Sequence, residues 1–323
     1  MTWAIALTVF LFALGIVLVV KGGDYFVDAA SWMAEVSGIP KLIIGATVVS
    51  LATTLPEMLV SIMAAAEGKV DMSIGNAVGS VTANIGLIMA ISLICMAGAI
   101  SRKDYMLKSL LMLAAAAIIV CCGFFGKISI FFSVILLVIF VVFFVENYLS
   151  AKKAVATTKK EEKDENLTAK KTIFINILKF VLGAAGIVIG ARLLVNEGSE
   201  IARLLKVPER IIGVTMVAVG TSLPELITTV SAISKKQSEL SVGNIIGANI
   251  MDLTLIMPLS SVVAGKALPV SRMSMLVDLP ASLLVGLIAL VPALIRKKFT
   301  KAQGLCLLAI YIVYLGLTCF LTL

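Results

Sequence analysis

Residues 45–89 read GATVVSLATTLPEMLVSIMAAAEGKVDMSIGNAVGSVTANIGLIM, and residues 213–257 read GVTMVAVGTSLPELITTVSAISKKQSELSVGNIIGANIMDLTLIM. The offset is 168 throughout with no gap, and 15 of the 45 positions are identical. Pro40 and Pro208 extend the match upstream. Shared apolar residues alone would be weak evidence of a repeat, because membrane helices resemble one another. The shared polar residues carry it. Thr53, Pro56, Glu57, Ser73 and Asn76 recur as Thr221, Pro224, Glu225, Ser241 and Asn244, and Gly75 and Gly79 recur as Gly243 and Gly247.

The rest of the chain is as apolar as the repeats. Of 323 residues 60% are apolar and only 14% charged, against about a quarter in soluble domains. Mean hydropathy is +1.10. Those values exclude a disordered or collagen-like chain and argue against a cytosolic globule. With 7% aromatics, a porin-like barrel with aromatic girdles is also disfavoured. The net charge of +8 fits cytoplasmic loops better than nucleic-acid binding. A span needs roughly 20 apolar residues. The pattern predicts ten transmembrane helices, at 1–20, 40–66, 72–99, 107–126, 128–149, 172–194, 207–234, 240–264, 275–295 and 302–322. Residues 1–20 read as a first span and not a signal peptide, since no positive segment precedes them. Cys95, Cys121, Cys122, Cys306 and Cys319 all lie in apolar runs and read as small buried hydrophobes.

The stretch KKAVATTKKEEKDENLTAKK, residues 152–171, holds seven Lys and four acids and reads as a solvated linker. It divides the chain into a first half over 1–150, a linker over 151–171 and a second half over 172–323, with five spans in each half. An odd number of spans inverts the second copy relative to the first, a plan common among secondary transporters. Leaving aside Lys41 and Lys179, 17 Lys and Arg fall in or beside the odd-numbered loops and eight in the even-numbered ones. The positive-inside rule therefore predicts a cytoplasmic linker and both termini outside.

Glu57 stands alone as a charge between Leu42 and Ala66, and Glu225 occupies the equivalent place. An acid at bilayer depth costs about 2.5–3.5 kcal/mol on insertion scales. Two at matched positions require a role beyond packing. At three- and four-residue steps, Ser50, Thr53 or Thr54, Glu57 and Ser61 share a face of the second span. Thr221 or Ser222, Glu225 and Thr228 or Thr229 do so on the seventh. Ser73, Asn76, Ser80 and Asn84 form a stripe on the third span, and Ser241, Asn244, Ala248 and Asp252 one on the eighth. The four stripes predict a shared polar interior. Pro56 and Pro224 cannot donate to the carbonyls of Ala52 and Gly220, so a kink or break is expected at each. The glycine pairs read as close helix contacts. Carboxylate, hydroxyl, amide and carbonyl oxygens are hard donors that suit Ca²⁺ or Na⁺, and with no histidine in the chain a zinc site is disfavoured. If Na⁺ and Ca²⁺ compete for one pair of carboxylates, each expels the other, which is the physical basis of antiport.

ATTLPE at 52–57 and GTSLPE at 220–225 resemble the paired alpha-repeat motifs of the sodium/calcium exchanger family, and GNAVGSVTAN at 75–84 and GNIIGANIMD at 243–252 resemble its second motif. The look is of the short prokaryotic members. The resemblance implies a Na⁺/Ca²⁺ antiporter working by alternating access and extruding Ca²⁺. It implies Glu57 and Glu225 as central cation ligands, backbone carbonyls from Thr53 and Thr221, Asn84 and Asp252 completing the centre, and Ser50, Thr54, Ser80, Ala218 and Ser222 lining flanking sodium sites. Departures from the family pattern are Ala52 for Gly, Thr54 for Ser, Val81 for Asn after Ser80, and Ala248 for Ser. Losing the hydroxyl at 248 bears on sodium and leaves the carboxylates intact. Coupling to H⁺ or a requirement for K⁺ is the alternative, and a channel ranks lower because inverted repeats favour alternating access. No catalytic constellation is legible, so no enzyme, cofactor, nucleic-acid partner or obligatory protein partner is expected. The expected partners are Ca²⁺, Na⁺ and the lipid bilayer of a prokaryotic inner or plasma membrane.

Overall fold

Long runs of Leu, Ile, Val, Ala and Phe surrounded by hydrocarbon must pair their own backbone, and a helix is the local structure that does so. The computed structural model describes residues 2–158, 170–206 and 220–322. They form ten helices: α1 (Thr2–Ser37), α2 (Lys41–Ala66), α3 (Val70–Cys95), α4 (Arg102–Phe124), α5 (Ile130–Thr158), α6 (Lys170–Leu204), α7 (Leu223–Ser234), α8 (Ser238–Val263), α9 (Ser274–Arg296) and α10 (Lys301–Thr322). All but the 12-residue α7 are long and apolar enough to cross a membrane. The chain is an all-α integral membrane protein built from two inverted five-helix repeats. The start of the seventh expected span, 207–219, and most of the expected linker, 159–169, lie outside the described residues.

Several helices outrun the apolar stretches that announced them. The first was expected over 1–20, yet α1 runs 36 residues, through Lys21, Asp24 and Asp28. Its carboxylates find a partner within the protein. Lys235, just beyond α7, donates to Asp28 Oδ1 at 2.6 Å and to the Asp24 carbonyl at 2.8 Å. Of the five cysteines only Cys122 is buried, while Cys95, Cys121 and Cys306 are exposed on the bundle surface. In a membrane chain the outward faces are as apolar as the inward ones, so an apolar run does not tell which way a residue points.

The inverted symmetry shows in contacts that come in swapped pairs. A Cβ built on Gly15 would lie 3.1 Å from the carbonyl oxygen of Gly190, and one built on Gly22 would lie 2.9 Å from that of Gly183. Adding 168 to the first-repeat member and subtracting it from the second-repeat member converts each pair into the other. The same holds for Ser73–Ser260 at 3.0 Å and Ser92–Ser241 at 3.2 Å, which tie α3 to α8 at two places. Short strands β1 (Lys127–Ile128) and β2 (Leu268–Pro269) pair antiparallel, which puts the α4–α5 and α8–α9 loops on one face. A bridge from Ala99 to Lys298 puts the α3–α4 and α9–α10 loops together.

At the centre α2 and α8 meet backbone to backbone. A Cβ on Gly243 would collide with the carbonyl oxygen of Leu42, and one on Gly247 with that of Ala46. The second glycine pair therefore serves close packing, as expected. At Gly75 and Gly79 no described residue comes within 4 Å of such a Cβ, and the counterparts of Leu42 and Ala46, residues 210 and 214, lie outside the described residues.

Candidate cation-binding site

Pro56 and Pro224 have opposite local effects. Helix α2 continues through Pro56. At Pro224 the expected break is found: Thr221 and Ser222 form a turn, and α7 starts at Leu223 with proline in its first turn, where a missing N–H costs nothing. The expected break is therefore present in the second repeat, while in the first the helix runs unbroken through Pro56. Helices α3 and α8 each widen into one π-helical turn at matched places, Asn84–Met89 and Asp252–Ile256. Such turns rotate the side chains that follow them and recur at functional sites. They begin at Asn84 and Asp252, which are equivalent by the repeat offset.

Glu57, Glu225 and Asp252 are fully buried. Ser222 Oγ donates to Glu57 Oε1 at 3.2 Å, and Thr54 Oγ1 lies 3.5 Å from Glu225 Oε1. Thr54 and Ser222 are repeat equivalents, as are Glu57 and Glu225. Each glutamate therefore takes its hydroxyl from the other repeat, which is a third swapped pair. Thr53 Oγ1 lies 3.3 Å from Asn244 Oδ1, and Asn76 Nδ2 donates to the Glu57 carbonyl at 3.2 Å and to Ser61 Oγ at 2.8 Å. Asn84 Nδ2 donates to Asn249 Oδ1 at 3.1 Å. Ser80 stands beside Glu57, its hydroxyl without a hydrogen-bond partner among the described residues.

What remains unpaired defines the site. Among the described residues, Glu57 Oε2, Glu225 Oε2, both Asp252 carboxylate oxygens, Asn84 Oδ1 and Ser80 Oγ are buried without a hydrogen-bond partner. Among the described residues no Lys or Arg forms an ion pair with any of the three acids. The three lie close enough for their charges to repel. Buried polar groups are nearly always satisfied, so this concentration of free oxygens marks a place built for something positive. Among the described residues no three Asp, Glu, Cys or His side chains converge as in a resident metal centre. The donor set is mixed instead, with hydroxyl and amide oxygens interleaved among the acids.

Of the residues singled out in the sequence, Ser50, Thr53, Thr54, Glu57, Ser80, Asn84, Ser222, Glu225 and Asp252 are all buried, on α2, α3, α7, α8 or the turn before α7. Thr221 is half-buried in that turn. Ala218 lies outside the described residues. Two members of the expected stripes leave the group, since Ser73 and Ser241 pair with Ser260 and Ser92 instead. Asn249 was missed. Its signal was available: it stands where the first copy has the apolar Val81.

The model of the sodium/calcium exchanger protein family matches residues 7–149 and 175–320. The chain belongs to the sodium/calcium exchanger family. It is 35% identical to the sodium/calcium exchanger MaX1 of Methanosarcina acetivorans, over 94% of this chain and 95% of that one. It is 32% identical to membrane protein MJ0091 of Methanocaldococcus jannaschii, with the same coverage of each. Solved structures of the sodium-calcium exchanger NCX_Mj also match. One soaked with Na⁺ and Sr²⁺ gives a TM-score of 0.78 at 30% identity, covering 97% of this chain and 99% of that chain. One soaked without Na⁺ and Ca²⁺ gives 0.77 at 30% identity.

Proposed function

We propose that the chain is a secondary antiporter that exchanges Na⁺ for Ca²⁺ by alternating access and extrudes Ca²⁺. The observation that carries this reading is the crossed pair of buried glutamates, Glu57 with Ser222 and Glu225 with Thr54, whose second oxygens are left free. Two carboxylates balance one Ca²⁺. Calcium takes six to eight oxygens in flexible geometry, and carbonyls of Thr53 and Thr221 with the side chains of Asn84 and Asp252 would add to the glutamates. Ser50, Thr54, Ser80, Ala218 and Ser222 would line Na⁺ positions on either side.

In this reading residues 1–150 and 172–323 are the two halves, 151–171 is a cytoplasmic linker, and both termini face outward. The outward apolar faces, such as Phe131, Val134, Val138 and Val141 on α5, meet lipid. Radioactive Ca²⁺ uptake into Na⁺-loaded proteoliposomes diluted into Na⁺-free buffer tests the function. The reading expects uptake that needs the outward Na⁺ gradient. Uptake that ignores Na⁺ and follows a pH gradient would move the driving ion to H⁺, and no Ca²⁺ flux under either gradient would remove Ca²⁺ as substrate.

A further inference from the structure

We propose that Ser50 supplies, from the first repeat, the cation-facing hydroxyl that Ala248 lacks, so that the half-site around Glu225 binds Na⁺ through Ser50 where the half-site around Glu57 uses Ser80. The proposal rests on the Na⁺/Ca²⁺ reading above and names the residue that sets Na⁺ affinity on one side of the site.

The argument comes from applying the 168-residue offset to observed contacts. Around Glu57 stand the crossed alcohol Ser222 at 3.2 Å and, beside it, Ser80. The offset carries Glu57 to Glu225, Ser222 to Thr54 and Ser80 to Ala248. Thr54 is found where this requires it, at 3.5 Å from Glu225. Ala248 brings only a methyl group. One hydroxyl is missing from the second half-site. The offset also pairs Ser50 with Ala218, and here the alcohol stands in the first repeat and the methyl in the second. Glu225 also has Thr53 beside it, and the alcohol missing at 248 coincides with one gained at 50 on a different helix.

Such a relocation requires residue 50 to lie near residue 248, and at the α2–α8 seam Ser50 stands against Gly247, the chain neighbour of Ala248. A Cβ on Gly247, the neighbour of Ala248, would lie 2.6 Å from Ser50 Oγ. Ser50 sits one helical turn before Thr53 and Thr54, the residues that face Asn244 and Glu225. It is fully buried. Its hydroxyl donates to the Thr47 carbonyl at 3.3 Å. A hydroxyl that donates to its own helix keeps its lone pairs as acceptors, which is the orientation a cation requires. A serine that only back-bonds to its helix would make the same contact, and the experiment must separate the two.

Purified full-length protein is followed by thermal unfolding during Na⁺ and, separately, Ca²⁺ titration. The variants are Ser50→Ala, Ala248→Ser and the double Ser50→Ala/Ala248→Ser. Ser50→Ala is expected to raise the Na⁺ concentration for half-maximal stabilisation about tenfold, as for loss of one contact to a charged group. The Ca²⁺ midpoint should stay within about twofold, which also reports that the variant is folded. Adding Ala248→Ser should return the Na⁺ midpoint to that of the parent, and Ala248→Ser alone should lower it. A Ser50→Ala midpoint equal to that of the parent, or a loss that Ala248→Ser does not restore, overturns the proposal while the exchanger reading stands. A parent that Ca²⁺ stabilises and Na⁺ does not overturns both.

Discussion

Replacing Gly247 by alanine tests the α2–α8 seam, because the added carbon has nowhere to go. It would collide with the Ala46 carbonyl oxygen and lie 2.7 Å from Ala46 Cα and 2.6 Å from Ser50 Oγ. Two of those three atoms are backbone and cannot rotate away. Restoring ordinary contact requires the helices to part by about 1 Å, and overpacking of that kind costs about 1–3 kcal/mol. The higher helix propensity of alanine returns up to about 1 kcal/mol of this. Stability should therefore fall modestly, by about 0–2 kcal/mol. Function should fall much further, because α8 carries Ala248 and Asp252 away from the oxygens of α2. A misplacement of about 1 Å in a preorganised site costs on the order of 10²-fold. The assay is Na⁺-dependent Ca²⁺ flux in proteoliposomes beside Tm in detergent. Gly316→Ala on α10, where a Cβ meets nothing within 4 Å, is the control and should leave both unchanged. Parent-like flux in Gly247→Ala would refute the claim that helix contact at this seam sets the site geometry.

Other perturbations have equally definite outcomes. Glu57→Gln and Glu225→Gln should each abolish Ca²⁺ flux while the protein keeps its elution profile and its Tm does not fall, since the amide removes a buried charge that has no cation to pair with. A collapse of Tm in both would point instead to a structural role for the acids. Lys108 on α4 is buried and ion-paired with Glu146 on α5, so Lys108→Met should cost about 1–3 kcal/mol by leaving the partly buried Glu146 with only the Ser150 hydroxyl, and adding Glu146→Leu should recover most of it in thermal unfolding. Lys235→Gln removes the tie from the end of α7 to Asp24 and Asp28 on α1. Because that pair is partly exposed, Tm should move little, by about 1 kcal/mol or less, whereas the exchange rate should change, and the swap Lys235→Asp/Asp28→Lys should restore it. An unchanged rate would remove α1 tethering from the account.

The fold was legible wherever residue type alone decides. Twenty or so apolar residues announce a span, and a gapless repeat of polar residues announces two copies that are inverted when five spans separate them. Glu57 and Glu225 were legible because an acid inside an apolar run is too costly to bury for packing alone. What failed to show was anything settled by a partner distant in sequence. Helix α1 continues beyond position 20 through Asp24 and Asp28, whose partner Lys235 lies more than 200 residues away. The burial of Lys108 is likewise settled by Glu146 on another helix. Ser73 and Ser241 had helical spacing to join the site, yet their pairing with Ser260 and Ser92 draws them off. Proline sets the possibility of a break but not its occurrence, as the intact helix at Pro56 and the turn before Pro224 show. Asn249 was passed over because only polar residues matched in both copies were followed, although an amide opposite the apolar Val81 was itself the signal.

The central claim is that Na⁺ and Ca²⁺ compete for one interior set of oxygens. Equilibrium binding of radioactive Ca²⁺ to the purified protein, titrated with Na⁺ at constant ionic strength, tests it most directly. The account predicts that Na⁺ displaces bound Ca²⁺ completely and that Glu57→Gln and Glu225→Gln each lose the Ca²⁺ signal. Ca²⁺ that stays bound at saturating Na⁺, or that binds unchanged in both variants, would contradict it.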